Sequence, residues 1–242
     1  MTAIMTAVIR SVSQTDQFAK YFIPFPMKLL THFSKFKKFL QTKLPENTYD
    51  NIVYRTKFID QIINQNDFDQ IVILGAGFDS RFLRFNKSKT KFFEIDHSDT
   101  QKYKIEILQK KHLLRNKSHI FFISANLNRQ GINQKLLSKK FSPNLKTLFI
   151  LEGLIMYLSA SAVNQLFKSI ISLSSSDNEI IFDFIHQPTV KNKQSEAVKT
   201  VNRLGEKWVF GVEDISCFLQ KYSLKLISQK SLSNGGIVHT KL

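Results

Sequence analysis

The sequence predicts an α/β fold: a mostly parallel, seven-stranded sheet flanked by helices, with an N-terminal helical cap. Two observations carry this prediction. Four apolar residues, Ile71-Val72-Ile73-Leu74, run directly into Gly75, and such a run is typical of a strand buried on both faces of a parallel sheet. Apolar runs and amphipathic helical patterns then alternate along the chain, as they do in successive βαβ units.

The first fifty residues predict a helical cap. Apolar residues at helical spacing indicate a short helix from Met1 to Ser13, and a second amphipathic helix is predicted from Pro26 to Leu44. The second helix carries lysines beside its apolar stripe. A basic amphipathic helix can lie on a membrane, but it more often packs on its own domain, and it could also cover the active site as a lid.

The remaining elements follow in alternation and end in a hairpin-like pair of strands. We predict helices over 51–63, 100–114, 130–141, 161–173 and 212–221, and strands over 71–74, 91–97, 119–123, 147–151, 179–185, 224–228 and 236–239. The polar, lysine-rich stretch 187–205 is predicted to be an exposed excursion. Trp208, the only tryptophan, suits either the core or the wall of a substrate pocket.

Length and cysteine content limit the protein class. A chain of 242 residues without a Pro/Gly/Ser-rich linker predicts a cap or lid over 1–50 and one catalytic domain over 51–242. A single cysteine, Cys217, excludes an internal disulfide, and six scattered histidines make a metal site improbable. We predict no signal peptide and no membrane span, and hence a cytoplasmic protein.

The net charge of +16 is carried mostly by lysine. Such a charge attracts nucleic acid or an anionic membrane. The lysines are spread along the chain, however, and arginine, the better reader of bases, is sparse. Nucleic acid is therefore disfavoured as a partner, weak contact with a membrane surface stays open, and no oligomeric state is predicted.

A cofactor loop is predicted after the first strand. Gly75 allows a sharp turn and Gly77 lets the backbone approach a ligand, while Asp79 and Ser80 are candidate helix N-caps. About 20 residues on, the distance at which βαβ nucleotide units place their acid, a second strand ends at Asp96. Alternation puts Glu94 on the same side of that strand, and a carboxylate at Asp96 can accept both hydroxyls of a ribose.

Two further strand ends carry polar residues at the edge where open α/β sheets bind ligands. Asn126 follows the third strand and has the donor and acceptor needed to read an adenine edge. Glu152 follows a fully apolar fourth strand, where a carboxylate is costly to bury without a partner. Arg55, in the helix before the first strand, is either a surface charge or part of this site.

Six ordered sequence blocks resemble the leucine carboxyl methyltransferase-like family of S-adenosylmethionine-dependent methyltransferases, in its bacterial O-methyltransferase branch. The blocks are Thr6-Ala7 with Arg10, and the segments 55–60, 74–84, 93–96, 151–158 and 205–211. The resemblance implies a Rossmann-like class I methyltransferase fold and S-adenosyl-L-methionine as cofactor.

The resemblance also implies roles for individual residues. Arg55 would pair with the methionine carboxylate of the cofactor, with Arg10 assisting or touching the acceptor. Gly75 and Gly77 would line its amino-acid moiety, Asp96 would hold the ribose, and Glu152 would lie near the amine and sulfonium. Asn126-Leu127 stands where the family usually has an Asp-Leu pair that meets the adenine. Ile23-Pro24-Phe25-Pro26 replaces an Asp-Pro element in the region that shapes the acceptor site.

The predicted function is O-methylation of a carboxylate or hydroxyl on a small molecule or a protein C-terminus. A carboxylate needs only cationic positioning, for which Arg10, Arg81 or Arg84 could serve; a hydroxyl needs a general base, and His97 and His186 lie near strand ends. Arg10 and Tyr157 are candidates for catalysis, but neither is assigned.

Two alternatives stay open at this level. A nicotinamide-dependent oxidoreductase shares the glycine loop and the ribose acid, but Ser80 replaces the third glycine of its fingerprint and no Tyr-xxx-Lys pair with a serine partner is present. The chain could also be a non-catalytic nucleotide-binding scaffold whose basic surface contacts nucleic acid or lipid.

Overall fold

The computed structural model describes residues 2–31, 33–85, 87, 89–173 and 177–242. Its helices are α1 (Thr2–Val12), α2 (Phe25–Leu30), α3 (Ser34–Lys43), α4 (Thr48–Gln65), α5 (Arg81–Arg84), α6 (Ser98–Lys110), α7 (Asn133–Leu137), α8 (Ala160–Ser172), α9 (Gln187–Lys191), α10 (Glu196–Arg203) and α11 (Ile215–Lys221). Its strands are β1 (Gln70–Leu74), β2 (Lys91–Asp96), β3 (Ile120–Ser124), β4 (Thr147–Leu151), β5 (Glu179–Ile185), β6 (Lys225–Leu232) and β7 (Gly235–Lys241).

The strands form one sheet in the order β3-β2-β1-β4-β5-β7-β6. The first five are parallel, whereas β7 runs antiparallel to both β5 and β6. A Cβ at Gly235 would lie 1.8 Å from the carbonyl oxygen of Phe184, so only glycine lets β7 begin this close to β5. The predicted α/β class with a mostly parallel, seven-stranded sheet is confirmed.

The sheet is buried on both faces, as β1 shows. Ile71 and Ile73 pack into the hydrophobic cluster on one side, while Val72 and Leu74 pack into the cluster on the other. Successive side chains of a strand point to opposite faces, so a continuous apolar run is what this position requires. The carboxyl ends of β1, β2, β4 and β5 therefore meet at one edge of a rigid core.

The cap is joined to the rest of the chain by apolar packing. Ala7, Val8 and Ile9 of α1 share a cluster with Ile52 and Ile59 of α4. The cluster thus runs across residue 50, and the division into 1–50 and 51–242 stays a prediction. Among the described helices, none has both the length and the apolar character needed to cross a bilayer.

The prediction of one helix over 26–44 is wrong, because two helices occupy this stretch. The hydroxyl of Thr31 donates to the carbonyl oxygen of Lys28 (2.7 Å) and closes α2, while Phe33 is extended before α3 begins. A local side-chain to backbone hydrogen bond of this kind competes with helix continuation. The apolar stripe is therefore divided between two short helices.

The prediction of an exposed excursion over 187–205 holds for α9, none of whose residues is buried, and is wrong for α10. This stretch forms α9 and α10, and Ala197, Val198 and Val201 of α10 are buried. Three apolar residues at this spacing make one narrow face of a helix. In the sequence this pattern is weak, because the stretch around it is polar and rich in lysine. The consequence is functional, since α10 forms part of the cavity wall.

Candidate active site

A cavity of about 420 Å³ lies at the carboxyl ends of β1, β2, β4 and β5. Its floor is made by the loop after β1, and α1 contributes Thr2, Ala3, Thr6 and Arg10 to its wall. The opposite wall comes from α10 and the segment after it. This is the edge at which open α/β sheets bind ligands, and the predicted residues Arg10, Arg55, Gly75, Gly77, Asp96, Glu152 and Tyr157 all line it.

The glycine loop has the backbone conformation that was predicted for it. Gly75 and Gly77 have φ values of +65° and +46°, which side chains of L residues rarely adopt. A Cβ at Gly75 would also lie 2.8 Å from Cδ1 of Leu154. Close packing against the loop after β4 and the turn itself both require glycine here.

Asp96 connects the glycine loop to β2. Its Oδ2 accepts a hydrogen bond from the backbone N–H of Gly77 (2.5 Å), and its Oδ1 accepts from the backbone N–H of His97 (2.6 Å). Each carboxylate oxygen has a second lone pair, so both can also accept from a ligand. Glu94, predicted on the same side of the strand, is instead buried against Lys104 (2.5 Å) and does not line the cavity.

Glu152 is the centre of an ionic cluster. Its Oε1 accepts from Nη2 of Arg10 (2.6 Å) and Nε of Arg55 (3.0 Å), and its Oε2 accepts from Nη1 of Arg81 (2.8 Å). Burial would raise the pKa of this carboxyl, but Arg10, Arg81 and Arg55 hold it well below its usual range. The prediction that Glu152 needs a partner is confirmed with three.

Asp183 belongs to the site although the sequence analysis did not select it. Its Oδ2 accepts from Nη1 of Arg55 (2.9 Å) and its Oδ1 accepts from the backbone N–H of Gly153 (2.5 Å). Burial raises its pKa, with Arg55 opposing. A signal was present: an aspartate in the middle of the apolar strand Glu179–Ile185 is as costly as Glu152.

Arg81 and Arg84 hold the scaffold and do not line the cavity. Arg81 is fully buried and donates to Asp60 (2.8 Å), Asp79 and Glu152. Arg84 also pairs with Asp60. Of the predicted N-caps, Asp79 accepts from the backbone N–H of Arg81 through Oδ1 (2.7 Å). Ser80 occupies the N-cap position of α5, but its side chain makes no capping hydrogen bond and its hydroxyl donates to Oδ1 of Asp16 (2.6 Å).

The predicted adenine contacts lie outside the cavity lining. Oδ1 of Asn126 accepts from the backbone N–H of Asn128 (3.0 Å) and closes a local turn, and Leu127 is buried in the core. A cofactor role for Asn126 and Leu127 stays a prediction. The candidate bases His97 and His186 are exposed, and neither lines the cavity.

Two aromatic residues that carry hydrogen-bond donors contribute to the cavity wall. Tyr157 and Trp208 both line the cavity, which favours the pocket-wall alternative for the tryptophan. Burial raises the pKa of the Tyr157 phenol, and the Trp208 indole N–H beside it opposes this rise. The phenol therefore stays protonated near neutral pH and can donate a hydrogen bond.

The N-terminus of α1 is fastened across the cavity by a contact that the sequence analysis missed. The backbone N–H of Thr2 (3.1 Å) and its hydroxyl (2.7 Å) donate to Oε1 of Glu206. These residues are 204 positions apart. The helix that carries Arg10 is thereby held over the glycine loop, with the Cβ of Ala3 3.5 Å from where a Cβ at Gly77 would stand.

This sheet, with the antiparallel β7 between β5 and β6 and a ligand edge built from a glycine loop and an acid, has the fold of the class I S-adenosylmethionine-dependent methyltransferases. A crystal structure of a provisionally assigned methyltransferase from Thermobifida fusca shares the fold. The two superpose with a TM-score of 0.65 at 13% identity, over 98% of this chain and 93% of that one.

Residues 3–171 match the leucine carboxyl methyltransferase family, and the chain belongs to that family. A provisionally named S-adenosyl-L-methionine-dependent methyltransferase of Frankia alni is 31% identical over 134 residues, which are 54% of this chain and 46% of the relative. Another, from Mycolicibacterium smegmatis, is 28% identical over 84% of this chain and 73% of the relative. The first of these matches thus spans about half of the relative's length. Membership of a methyltransferase family argues against the oxidoreductase alternative, and both matched relatives are named for S-adenosyl-L-methionine.

Proposed function

We propose that this protein methylates an oxygen of its acceptor, that the oxygen belongs to a carboxylate, and that the acceptor is a small molecule or a protein C-terminus. One observation carries the proposal: the described cavity lining contains two arginines with a spare donor and no histidine. Nη1 of Arg10 and Nη2 of Arg55 have no acceptor among the described residues. Two anionic groups, one on the cofactor and one on the acceptor, would match them.

The donor and acceptor groups on the cavity wall fit S-adenosyl-L-methionine. Asp96 offers carboxylate oxygens to a ribose diol, and Arg55 offers a guanidinium nitrogen to the methionine carboxylate. Burial would lower the pKa of Arg55, but Asp183 and Glu152 raise it above its ordinary value, so the guanidinium stays charged. When bound, this cofactor supplies an electrophilic methyl group on a sulfonium.

The remaining residues favour a carboxylate acceptor over a hydroxyl. A carboxylate is already a nucleophile, so the protein has only to align it and exclude water. Arg10 would bind one acceptor oxygen, and the protonated Tyr157, which also lines the cavity, would donate to the acceptor. A hydroxyl would need a base, and the buried carboxylates of Glu152 and Asp183 are already held by arginines.

Product chemistry tests this proposal. Purified protein is first titrated with S-adenosylmethionine and S-adenosylhomocysteine by calorimetry, then incubated with cell extract and a methyl-labelled donor. We expect micromolar cofactor binding and labelled products that release methanol in mild alkali, as methyl esters do and methyl ethers do not. Alkali-stable label would contradict the carboxylate, and absence of cofactor binding would favour the scaffold alternative.

Arg55→Ala tests how the cofactor is held. We expect affinity for S-adenosylhomocysteine to fall by about tenfold or more, because a charged hydrogen bond to the carboxylate is lost. Affinity for adenosine, which lacks that carboxylate, should hardly change. Lys57→Ala removes an exposed charge from the same helix, α4, and serves as control. An equal loss for both ligands would disprove the role of Arg55.

Gly153→Ala tests whether the position of Arg55 matters. Gly153 has a φ of +64°, and a Cβ there would lie 3.1 Å from Nη2 of Arg55. Gly205 has a φ of +78° but nothing within 4 Å of its virtual Cβ, so Gly205→Ala carries the backbone strain alone. Both variants should lose about 1 kcal/mol of stability, measured by urea unfolding. Only Gly153→Ala should also weaken S-adenosylhomocysteine binding. If the two variants bind this ligand equally well, the displacement of Arg55 by the new Cβ does not affect the site.

A further inference from the structure

The helices α2 and α3, with Phe33 between them, expose an unusual number of large apolar side chains. Between 46% and 73% of each is accessible to solvent; they are Phe25, Leu29, Leu30, Phe33 and Phe39. None of the residues of α2 is buried. Single exposed apolar residues are normal on a protein surface, but several in one short segment mark a site of interaction.

The segment is nevertheless anchored to the fold. Met27, Phe36 and Leu44 pack against the core on the α4 side of the sheet, and Leu40 is buried there. Phe36 also stacks on Phe39 with ring centroids 5.9 Å apart. The exposed side chains are thus presented by helices that are held in place from beneath.

The same segment is strongly cationic. Between Asp16 and Glu46 the chain has six lysines and no acidic residue. Lys35, Lys37, Lys38 and Lys43 are exposed. Lysine can lay its alkyl stem along apolar surface and keep its ammonium in water. Apolar side chains surrounded by lysines are complementary to a partner that has an apolar interior beneath an anionic surface.

This charge discriminates between the occupants that could cover the face. A second copy of the chain would bring the five lysines of α2 and α3 against the same five lysines, which opposes self-association through this face. Duplex nucleic acid would satisfy the lysines but leave the phenylalanines and leucines in water, and the bases of a single strand would stack on the phenylalanines but leave the leucines uncovered. An anionic bilayer satisfies both, since interfacial helices bury their apolar side chains at the acyl boundary and pair their lysines with headgroups.

We propose that α2 and α3 form a docking surface for an anionic lipid bilayer, with Phe25, Leu29 and Phe33 at the acyl boundary. The docking surface continues directly into the cavity wall, because Leu44 and Pro45 follow α3 and line the cavity. The proposal does not depend on methyl transfer. Its test therefore needs no cofactor, and its failure leaves the proposed reaction untouched.

Vesicle sedimentation tests the docking surface with the full chain. The probes are vesicles of phosphatidylcholine alone and of phosphatidylcholine with phosphatidylserine. We expect the wild type to sediment with the anionic vesicles and much less with the neutral ones. Leu29→Ser/Phe33→Ser/Phe39→Ser should reduce binding at least tenfold without lowering Tm. Leu226→Ser/Ile227→Ser, which removes exposed apolar residues from β6, should bind like the wild type.

Charge variants distinguish docking through α2 and α3 from a general attraction of the whole protein, with its net charge of +16, to anionic vesicles. Lys35→Gln/Lys38→Gln/Lys43→Gln should weaken binding by about a hundredfold. Lys102→Gln/Lys110→Gln/Lys139→Gln removes the same charge from exposed positions elsewhere and should have a much smaller effect. Equal losses in both triple variants would overturn the proposal, as would absence of vesicle binding. A dimer in sedimentation velocity that the apolar triple variant abolishes would also overturn it.

Discussion

Glu152→Gln is expected to destabilise the folded protein by about 3 kcal/mol. Removing one partner of a buried ionic cluster leaves uncompensated charge, which typically costs about 3–5 kcal/mol. Three guanidinium groups, those of Arg10, Arg55 and Arg81, would lose their shared negative charge, and one of the two acceptor oxygens would become an NH₂ donor. The lower end of the range applies because Asp183 and Asp79 remain beside Arg55 and Arg81.

Urea unfolding of both proteins across pH measures this effect. The folded-state pKa of Glu152 is lowered, so its stabilisation is present above the unfolded pKa and is lost as pH falls through the folded pKa. The difference in unfolding free energy between wild type and variant should be constant from about pH 8 to 5 and should shrink below about pH 4. Glu196→Gln, in an exposed pair with Lys199, should change stability little. A difference in unfolding free energy that grows as the pH falls would contradict this account.

Asp96→Ala is expected to lower the affinity for S-adenosylmethionine by about 5- to 150-fold, or 1–3 kcal/mol. The variant loses a charged acceptor for the ribose and also the bond that holds the N–H of Gly77. Calorimetric titration measures the loss. Asp99→Ala, at an exposed position in the first turn of α6, should bind like the wild type. Unchanged affinity in Asp96→Ala would mean that the ribose is held elsewhere.

Asp96→Asn helps to separate the two contributions. An asparagine oxygen can still accept from one backbone N–H, so the glycine loop should keep much of its position while the charge is lost. We expect an affinity between those of the wild type and Asp96→Ala. If Asp96→Asn binds the ligand as weakly as Asp96→Ala does, binding requires the negative charge. If it binds the ligand like the wild type, the hydrogen bond to the glycine loop is the contribution that matters.

Local pattern predicted the sheet because its strands are buried on both faces. Continuous apolar runs such as Ile71–Leu74, bounded by glycine and rich in β-branched residues, are typical of strands buried on both faces. The same logic found two site residues, since Gly77 follows the buried β1 and Asp96 ends the buried β2. Glu152 was found because an isolated buried charge is expensive. Each of these inferences uses only neighbours in sequence.

The sequence by itself thus determined the strands, the glycine loop and the acids at the strand ends, and its motifs indicated the family. Tertiary structure alone decided how the charges pair: Glu152 meets Arg55 across 97 positions and Arg10 across 142, and Asp183 meets Arg55 across 128. It also showed that Arg81 pairs within the scaffold, and that Phe33 and four apolar side chains of α2 and α3 face solvent. The reason is physical: backbone conformation follows from local sterics and periodicity, whereas ion pairing and burial depend on distances that exist only after the chain has folded.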